Sequence, residues 1–225
     1  MPNIKLSSLQ KEILFFFAKH QFAKNFYWTG GTLLASHYLY NRDSVDLDFF
    51  SDDLFTDDEY LFFINDLKNK IHIDKITLTK QYNRRLYVIK RKKDTVKLEL
   101  VFFPFPPVGK RSISPKYSVK IDSLTDIMVN KTLATYQRNE IKDVFDLYSY
   151  LNNHPQHDLF KLTKLVEKKF GVAIEPVSLL TKINKLSDKL DSLSPLLLKP
   201  QKNLSQKVKK FFQEIFNSIA KKQLK

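Results

Sequence analysis

The segment TGGTLLASHYLYNRDSVDLDFF (29–50) constrains this chain more than any other. Two adjacent glycines, in a sequence that has only four, precede a run with helical spacing and then an Asp-x-Asp set among apolar residues. Asp46 and Asp48 alternate with Val45, Leu47 and Phe49. A strand has a side-chain period of two, so both carboxylates project from one face while the apolar residues fill the other. Two like charges side by side repel each other unless something cationic lies between them. Glycines between a strand and a helix let the backbone approach a ligand closely, and the N–H groups at the helix start can then bind phosphate.

A third carboxylate fits the same pattern. In KLELVFF (97–103), Glu99 lies between Leu98 and Leu100 and faces away from the apolar side. Two aspartates on one strand near a phosphate-binding turn form a platform for Mg²⁺, which favours oxygen ligands and often bridges protein carboxylates to substrate phosphates. With Glu99 as third acid, such a site can hold two metals about 3.5–4 Å apart. No Walker-type loop and no serine-nucleophile motif is present, and the absence of cysteine excludes disulfides, thiolate metal sites and cysteine nucleophiles.

The order of elements predicts an α+β protein: a mixed sheet with flanking helices, then a helical C-terminal half. Ser7 or Ser8 caps a first helix with the apolar stripe Ile13, Leu14, Phe17 and Ala18. Strands are expected at 26–30, 45–50, 72–79, 84–92 and 95–103, the last two joined as a hairpin, with a helix at 57–70. The prolines of PFPPVGK (104–110) end the ladder pattern. Helices are expected at 122–138, 141–153, 158–170, 175–191 and 203–222. This divides the chain into a core domain, 1–120, and a helical domain, 121–225. The aromatic group Phe15, Phe16 and Phe17 reads as core. His20, His37, His72, His154 and His157 show no metal-ligand spacing, and Asp52, Asp53, Asp57 and Asp58 read as a solvated loop and helix cap.

The formal net charge is +14, unevenly spread. Between Arg42 and Glu59, eight acidic residues stand with Arg42 as the one basic residue; from Lys199 onward, eight lysines stand with Glu214 as the one acid. A basic surface favours a polyanion such as RNA, DNA or an acidic protein, although solvated helix faces give the same composition. The N-terminal apolar run is too short for a signal sequence with its cleavage site, and no stretch approaches the roughly 20 apolar residues of a membrane span. The expectation is a soluble, cytoplasmic protein.

The Gly-Gly-Thr of 30–32 followed by Arg-x-Ser-x-Asp-Leu-Asp-Phe-Phe at 42–50 resembles the DNA polymerase β-type nucleotidyltransferase core. More narrowly it is similar to the AbiEii/AbiGii-type nucleotidyltransferase toxins, the toxin half of bacterial type IV toxin–antitoxin and phage-abortive systems. The stretch IDSLTDIMVNKTLATYQRNEIKDVFDLYSYL (121–151) carries the same family's Asp, Lys, Arg, Lys-Asp and Asp-Leu-Tyr pattern, so the resemblance covers 27–151. It implies that Gly30, Gly31 and Thr32 hold the triphosphate of an NTP, that Asp46 and Asp48 bind Mg²⁺ with Glu99 as third acid, and that Lys131 contacts a nucleotide phosphate. Asp143 fits the acidic position of the following helix, with Asp146 as the alternative. Arg42 and Ser44 match the family block and serve either the nucleotide or the turn before the catalytic strand.

Spacing supports part of this. Lys131 and Arg138 share a helix face, as do Asp143 and Asp146, and a short turn at Asn139 can bring the faces together; an ion pair of Arg138 with Asp146 is expected. The reaction implied is attack by an acceptor hydroxyl on the α-phosphorus of the NTP. RNA, first of all a tRNA 3′ end, is the expected acceptor, with a cognate antitoxin as a further partner. The alternatives are nucleotidyl or phosphoryl transfer to a protein such as an antitoxin, a non-catalytic RNA-binding relative, and transfer to a small cationic molecule.

Overall fold

The structure is a computed structural model that describes residues 6–223. The chain divides into two compact units, with the boundary between Leu124 and Thr125.

The first unit is built on one seven-stranded mixed sheet. Helix α1 (Ser8–Lys19) opens with a capping box: the Ser7 hydroxyl accepts from the Gln10 N–H while the Gln10 side chain accepts from the Ser7 N–H. Strand β1 (Phe26–Thr29) leads into α2 (Gly30–Leu33), which widens into a π turn at Leu34–Leu39 and ends at Tyr40 in the left-handed region. Then follow β2 (Asp46–Ser51), α3 (Asp57–Lys70), β3 (Lys75–Gln81), β4 (Arg84–Arg91), β5 (Asp94–Phe102) and the two-residue strands β6 (Ser112–Ile113) and β7 (Lys120–Ile121).

The strand order is β3-β4-β5-β2-β1-β7-β6. Strand β2 is central, antiparallel to β1 and parallel to β5. Its apolar face carries the core: Leu47 and Phe49 are buried, and Phe49 stacks on Phe17 of α1 with ring centroids 3.7 Å apart. Phe63 of α3 meets the edge of Phe17 at 4.7 Å. Of the three consecutive phenylalanines in α1, Phe17 is core as expected. Phe15 is 46% exposed, because successive residues on a helix are about 100° apart and cannot all face inward.

Three departures from the expected elements have local causes. Strand β3 starts at Lys75 rather than 72, because His72 turns the backbone through the left-handed region after α3. Strands β6 and β7 are too short for any periodicity, and β7 is defined by its pairings alone: parallel to β1 at Trp28 and antiparallel to β6. The run from 30 to 40 is helical as its spacing predicts, but its second half takes the wider π form.

The second unit is helical. It contains α4 (Leu124–Gln137), α5 (Ile141–Asn153), α6 (Leu159–Phe170), α7 (Pro176–Ser187) and α8 (Leu204–Gln223). Gly171 closes α6 in the left-handed region, and the Glu175 carboxylate caps α7, whose first residue is Pro176. The helix expected to reach 191 ends at Ser187, and Leu190–Leu196, with Pro195, tightens into a 3-10 segment. Leu179, Leu180, Ile183, Val208 and Phe212 are buried in this unit.

Among the described residues, no helix is long and apolar enough to cross a membrane. The Phe17–Phe49 stack is the centre of the first unit's core. Phe49→Ala is therefore expected to cost about 3–5 kcal/mol of unfolding free energy, read from urea denaturation; a loss below about 1 kcal/mol would show that the stack is dispensable.

Candidate active site

Strand β2 presents Asp46 and Asp48 on the face opposite Leu47 and Phe49, as the alternation predicts, and both are half-buried. Asp48 lies opposite Thr29 of β1 on one side and beside Glu99 of β5 on the other. The glycine pair follows directly from Thr29. Gly30 has φ +76°, and a Cβ placed there would stand 1.9 Å from Asp48 Oδ2. Glycine is thus required twice over, by its backbone angle and by the carboxylate that occupies the space of a side chain.

Thr29 does not cap the helix that it precedes; its hydroxyl donates to Asp122 Oδ2 at 2.9 Å. The N–H groups of a helix's first turn have no intrahelical acceptor. Here the turn lies against the Asp48 carboxylate, an arrangement suited to a phosphate that arrives with a cation.

Behind the turn, Thr32 donates its hydroxyl to Ser44 Oγ at 2.8 Å. Arg42 is buried, donates to the Asp43 carbonyl at 3.0 Å, and places Nη2 3.0 Å from where a Cβ on Gly31 would be. The Gln10 amide reaches the Val45 carbonyl at 3.2 Å. Arg42 and Ser44 thus stand directly behind the Gly31–Thr32 turn.

The donor set fits a hard cation at the aspartate pair. Asp46 Oδ1 is buried and has no hydrogen-bond partner. A carboxylate oxygen left in that state is costly, and a cation removes the cost. The expected convergence of three acids is not present in this arrangement. Glu99 is in register with Asp48, but its carboxylate lies 3.4 Å from Arg84 Nε, and among the described residues no three acidic or histidine side chains gather as a metal cluster.

Lys131, Asp143 and Asp146 are in the second unit and are engaged with one another. Lys131 Nζ is 2.6 Å from Asp143 Oδ1 and 2.9 Å from Asp146 Oδ2, and all three are buried. Arg138 meets Asp143, with Nε 2.7 Å from Oδ2. The expected partner, Asp146, is corrected to Asp143. Arg138 sits at the end of α4 and Asp143 at the start of α5, so a tight turn joins them, while Asp146 lies one turn farther on. Burial works against the charge of Asp143, but the Lys131 ammonium and the Arg138 guanidinium outweigh it and hold its carboxyl below the usual range.

Sequence reasoning missed Asp122. It is 1% exposed, accepts from Thr29 and from the Ser123 N–H at 3.1 Å, and its carbonyl accepts from the Tyr38 hydroxyl at 2.7 Å. Arg111 was missed too: it stacks over Tyr27 at 3.5 Å and binds Asp52, an acid expected to be solvated. Asp122 lies in the 121–151 stretch but was given no role there, and both residues reach their partners through pairings of the sheet edge that the sequence does not mark. Asp57 is likewise bound, by Lys80 and Arg85, and its carboxyl is held at about 2, first by the Lys80 hydrogen bond and then by the Arg85 one.

A mixed sheet with an Asp-x-Asp on its central strand, facing a Gly-Gly turn at a helix start, is the architecture of a nucleotidyltransferase. Solved structures share it: a candidate nucleotidyltransferase from H. pylori matches with a TM-score of 0.64 and 21% identity, over 95% of this chain and 94% of that one. JHP933 from Helicobacter pylori matches with a TM-score of 0.60 and 20% identity, over 97% and 100%. The profile of the family described as "Nucleotidyl transferase AbiEii toxin, Type IV TA system" matches residues 12–224, and the chain belongs to that family. No curated protein matches the sequence.

Two predictions follow from the geometry. Gly30→Ala is expected to abolish nucleotide binding, measured calorimetrically, while leaving the helical unit's unfolding unchanged; wild-type affinity would refute the close approach to Asp48. Lys131→Met, which removes the buried cation that Asp143 and Asp146 share, is expected to cost about 3–5 kcal/mol at neutral pH. Because the folded-state pKa of Asp143 is depressed, the stability it contributes is present above its unfolded value of about 4 and is lost as pH falls through the folded value. The difference between wild type and Lys131→Met should therefore shrink in acid, and a pH-independent difference would contradict this account.

Proposed function

We propose that the chain transfers NMP from an NTP to the terminal hydroxyl of an RNA, first of all a tRNA 3′ end, with Mg²⁺ held by Asp46 and Asp48. The observation that carries this reading is the Gly30–Asp48 contact on the strand whose Asp46 has a buried oxygen with no hydrogen-bond partner: a close-approach glycine turn and a carboxylate pair lie at one end of the sheet.

The roles of the chain's own residues follow from their positions. The backbone of Gly30 and Gly31 receives the triphosphate, and the Thr32–Ser44–Arg42 brace keeps that turn seated on β2. Asp46 and Asp48 hold the cation, and Glu99, once released from Arg84, joins them or takes the proton of the acceptor hydroxyl. When bound, Mg²⁺ neutralises charge on the phosphates and on the departing oxygen. One P–O bond forms between the hydroxyl and the α-phosphorus, the bond to the β-phosphate breaks, and pyrophosphate leaves. The rate enhancement arises from positioning and fixed charge rather than from a covalent intermediate.

Lys131 contacts a nucleotide phosphate in this reading and Asp143 positions that lysine, on the strength of the family pattern. RNA is favoured as acceptor by the net charge of +14 and the lysine-rich C-terminal segment. Membership of a type IV toxin–antitoxin family supports a cognate antitoxin as partner and the cytoplasm as the place of action.

The test is incubation of the protein with Mg²⁺, total cellular RNA and each α-³²P-labelled NTP in turn, beside Asp46→Ala/Asp48→Ala. Label in small RNA that is absent with the double variant is the expected result. Label on protein alone would replace RNA with a protein acceptor, and label that persists in the double variant would refute the assignment of the two aspartates.

A further inference from the structure

The sheet face that carries Asp46 and Asp48 continues outward across three more strands. Register places Lys97 of β5 beside Asp46, and Glu99 beside Asp48. On β4, Val88 pairs with Lys97 and Leu86 with Glu99, so Arg84 and Lys90 share this face; Lys75 of β3 pairs with Lys90. The alternation is visible in burial. Val96, Leu98, Leu100, Tyr87 and Ile89 point to the other face and are buried, where Arg91 binds Glu12 of α1 and Tyr87 meets Tyr60 of α3. Lys75, Lys90 and Lys97 are exposed, and the Arg84 side chain is 43% exposed. Four cations thus share the outer face of β3, β4 and β5 with Glu99, the one carboxylate in the same rows, which Arg84 already meets.

The chemistry decides which side of the aspartates this face serves. In an in-line displacement the entering and leaving oxygens lie on opposite sides of the α-phosphorus. The glycine turn that receives the triphosphate is on the β1 side of β2. The entering hydroxyl must then arrive from the β5 side, over Lys97, Glu99 and Arg84.

We propose that the outer face of β3, β4 and β5 is the acceptor track of the enzyme. Arg84 and Lys97 bind phosphates of a single-stranded RNA end next to the reacting hydroxyl, and Lys90 and Lys75 bind phosphates farther from it. The proposal rests on the reading of Asp46 and Asp48 as the nucleotide site. A strip of cations that leads to the site fits a polyanionic chain, whereas a single protein hydroxyl would need no such strip. Contacts of this kind position a backbone without reading bases, so the track selects a single-stranded end rather than a sequence.

The experiment is fluorescence anisotropy of a labelled single-stranded RNA oligonucleotide, with Mg²⁺, over a series of salt concentrations. Arg84→Gln/Lys97→Gln is compared with wild type and with Lys68→Gln/Lys70→Gln, which removes the same charge from exposed positions at the end of α3. The expected result is affinity about tenfold weaker and a log K against log salt slope reduced by about 1.4, since each lost contact on a single strand is worth about 0.7. The urea midpoint should stay at the wild-type value, and the α3 variant should bind RNA as wild type does. An unchanged salt slope, equal weakening by the α3 variant, or no RNA binding by wild type would each overturn the track. If the track variant loses RNA affinity while no NTP label reaches RNA, the track stands and the transfer reaction is what fails.

Discussion

The closest constraint in this molecule is the contact between Asp48 and Gly30. The carboxylate stands where any other residue would carry its Cβ, and the backbone there has a φ that only glycine adopts without strain. Because Thr29 pairs with Asp48 across β1 and β2, the turn cannot slide along the strand without breaking the ladder. The start of the helix is thereby held against the Asp48 carboxylate. The rest of the first unit keeps this contact in place: Arg42, Ser44 and Thr32 stand behind it, and Asp122 holds Thr29 from the side.

The two faces of β2 divide the work. One face is apolar and is fixed by the Phe17–Phe49 stack and the aromatic group around Phe63. The other carries charges that repel each other and an oxygen with no hydrogen-bond partner. A strand that stores an unfavourable arrangement on one side needs a firm anchor on the other, and functional sites are where proteins retain such local conflict. The second unit treats charge in the opposite way. Lys131 is shared by Asp143 and Asp146, and Lys169 binds Asp126 at 2.7 Å, so these buried carboxylates are each matched by a cation. Such pairs add little net stability but are expensive to break, which makes them specific clamps between helices.

Much of this was legible in the sequence because it depends on local periodicity. The alternation of Asp46, Leu47, Asp48 and Phe49 fixes which side chains share a face, whatever the strand's neighbours are. The glycine pair announces a turn with close approach, and the helices of the second half are bounded by residues that cap or end helices, such as Gly171 and Pro176. The expected ion pair of Arg138 with Asp146 failed because helix spacing says which residues share a face, not which of two acids a side chain reaches across a turn. Asp122, Arg111 and Arg84 escaped notice because their partners are 93, 59 and 15 positions away in the chain, brought near only by strand pairing.

By itself the sequence determined the class of fold, the pair of aspartates on one strand face and the glycine turn before them, since each follows from steric rules that act over a few residues. Only the tertiary structure decided that the Asp48 carboxylate fills the place of a side chain on Gly30, that Glu99 stands 3.4 Å from Arg84, and that the Thr32 hydroxyl meets Ser44. These are matters of register between strands and of which long side chain reaches which partner. They are set by how the whole sheet buries its apolar face, and no local rule can supply them.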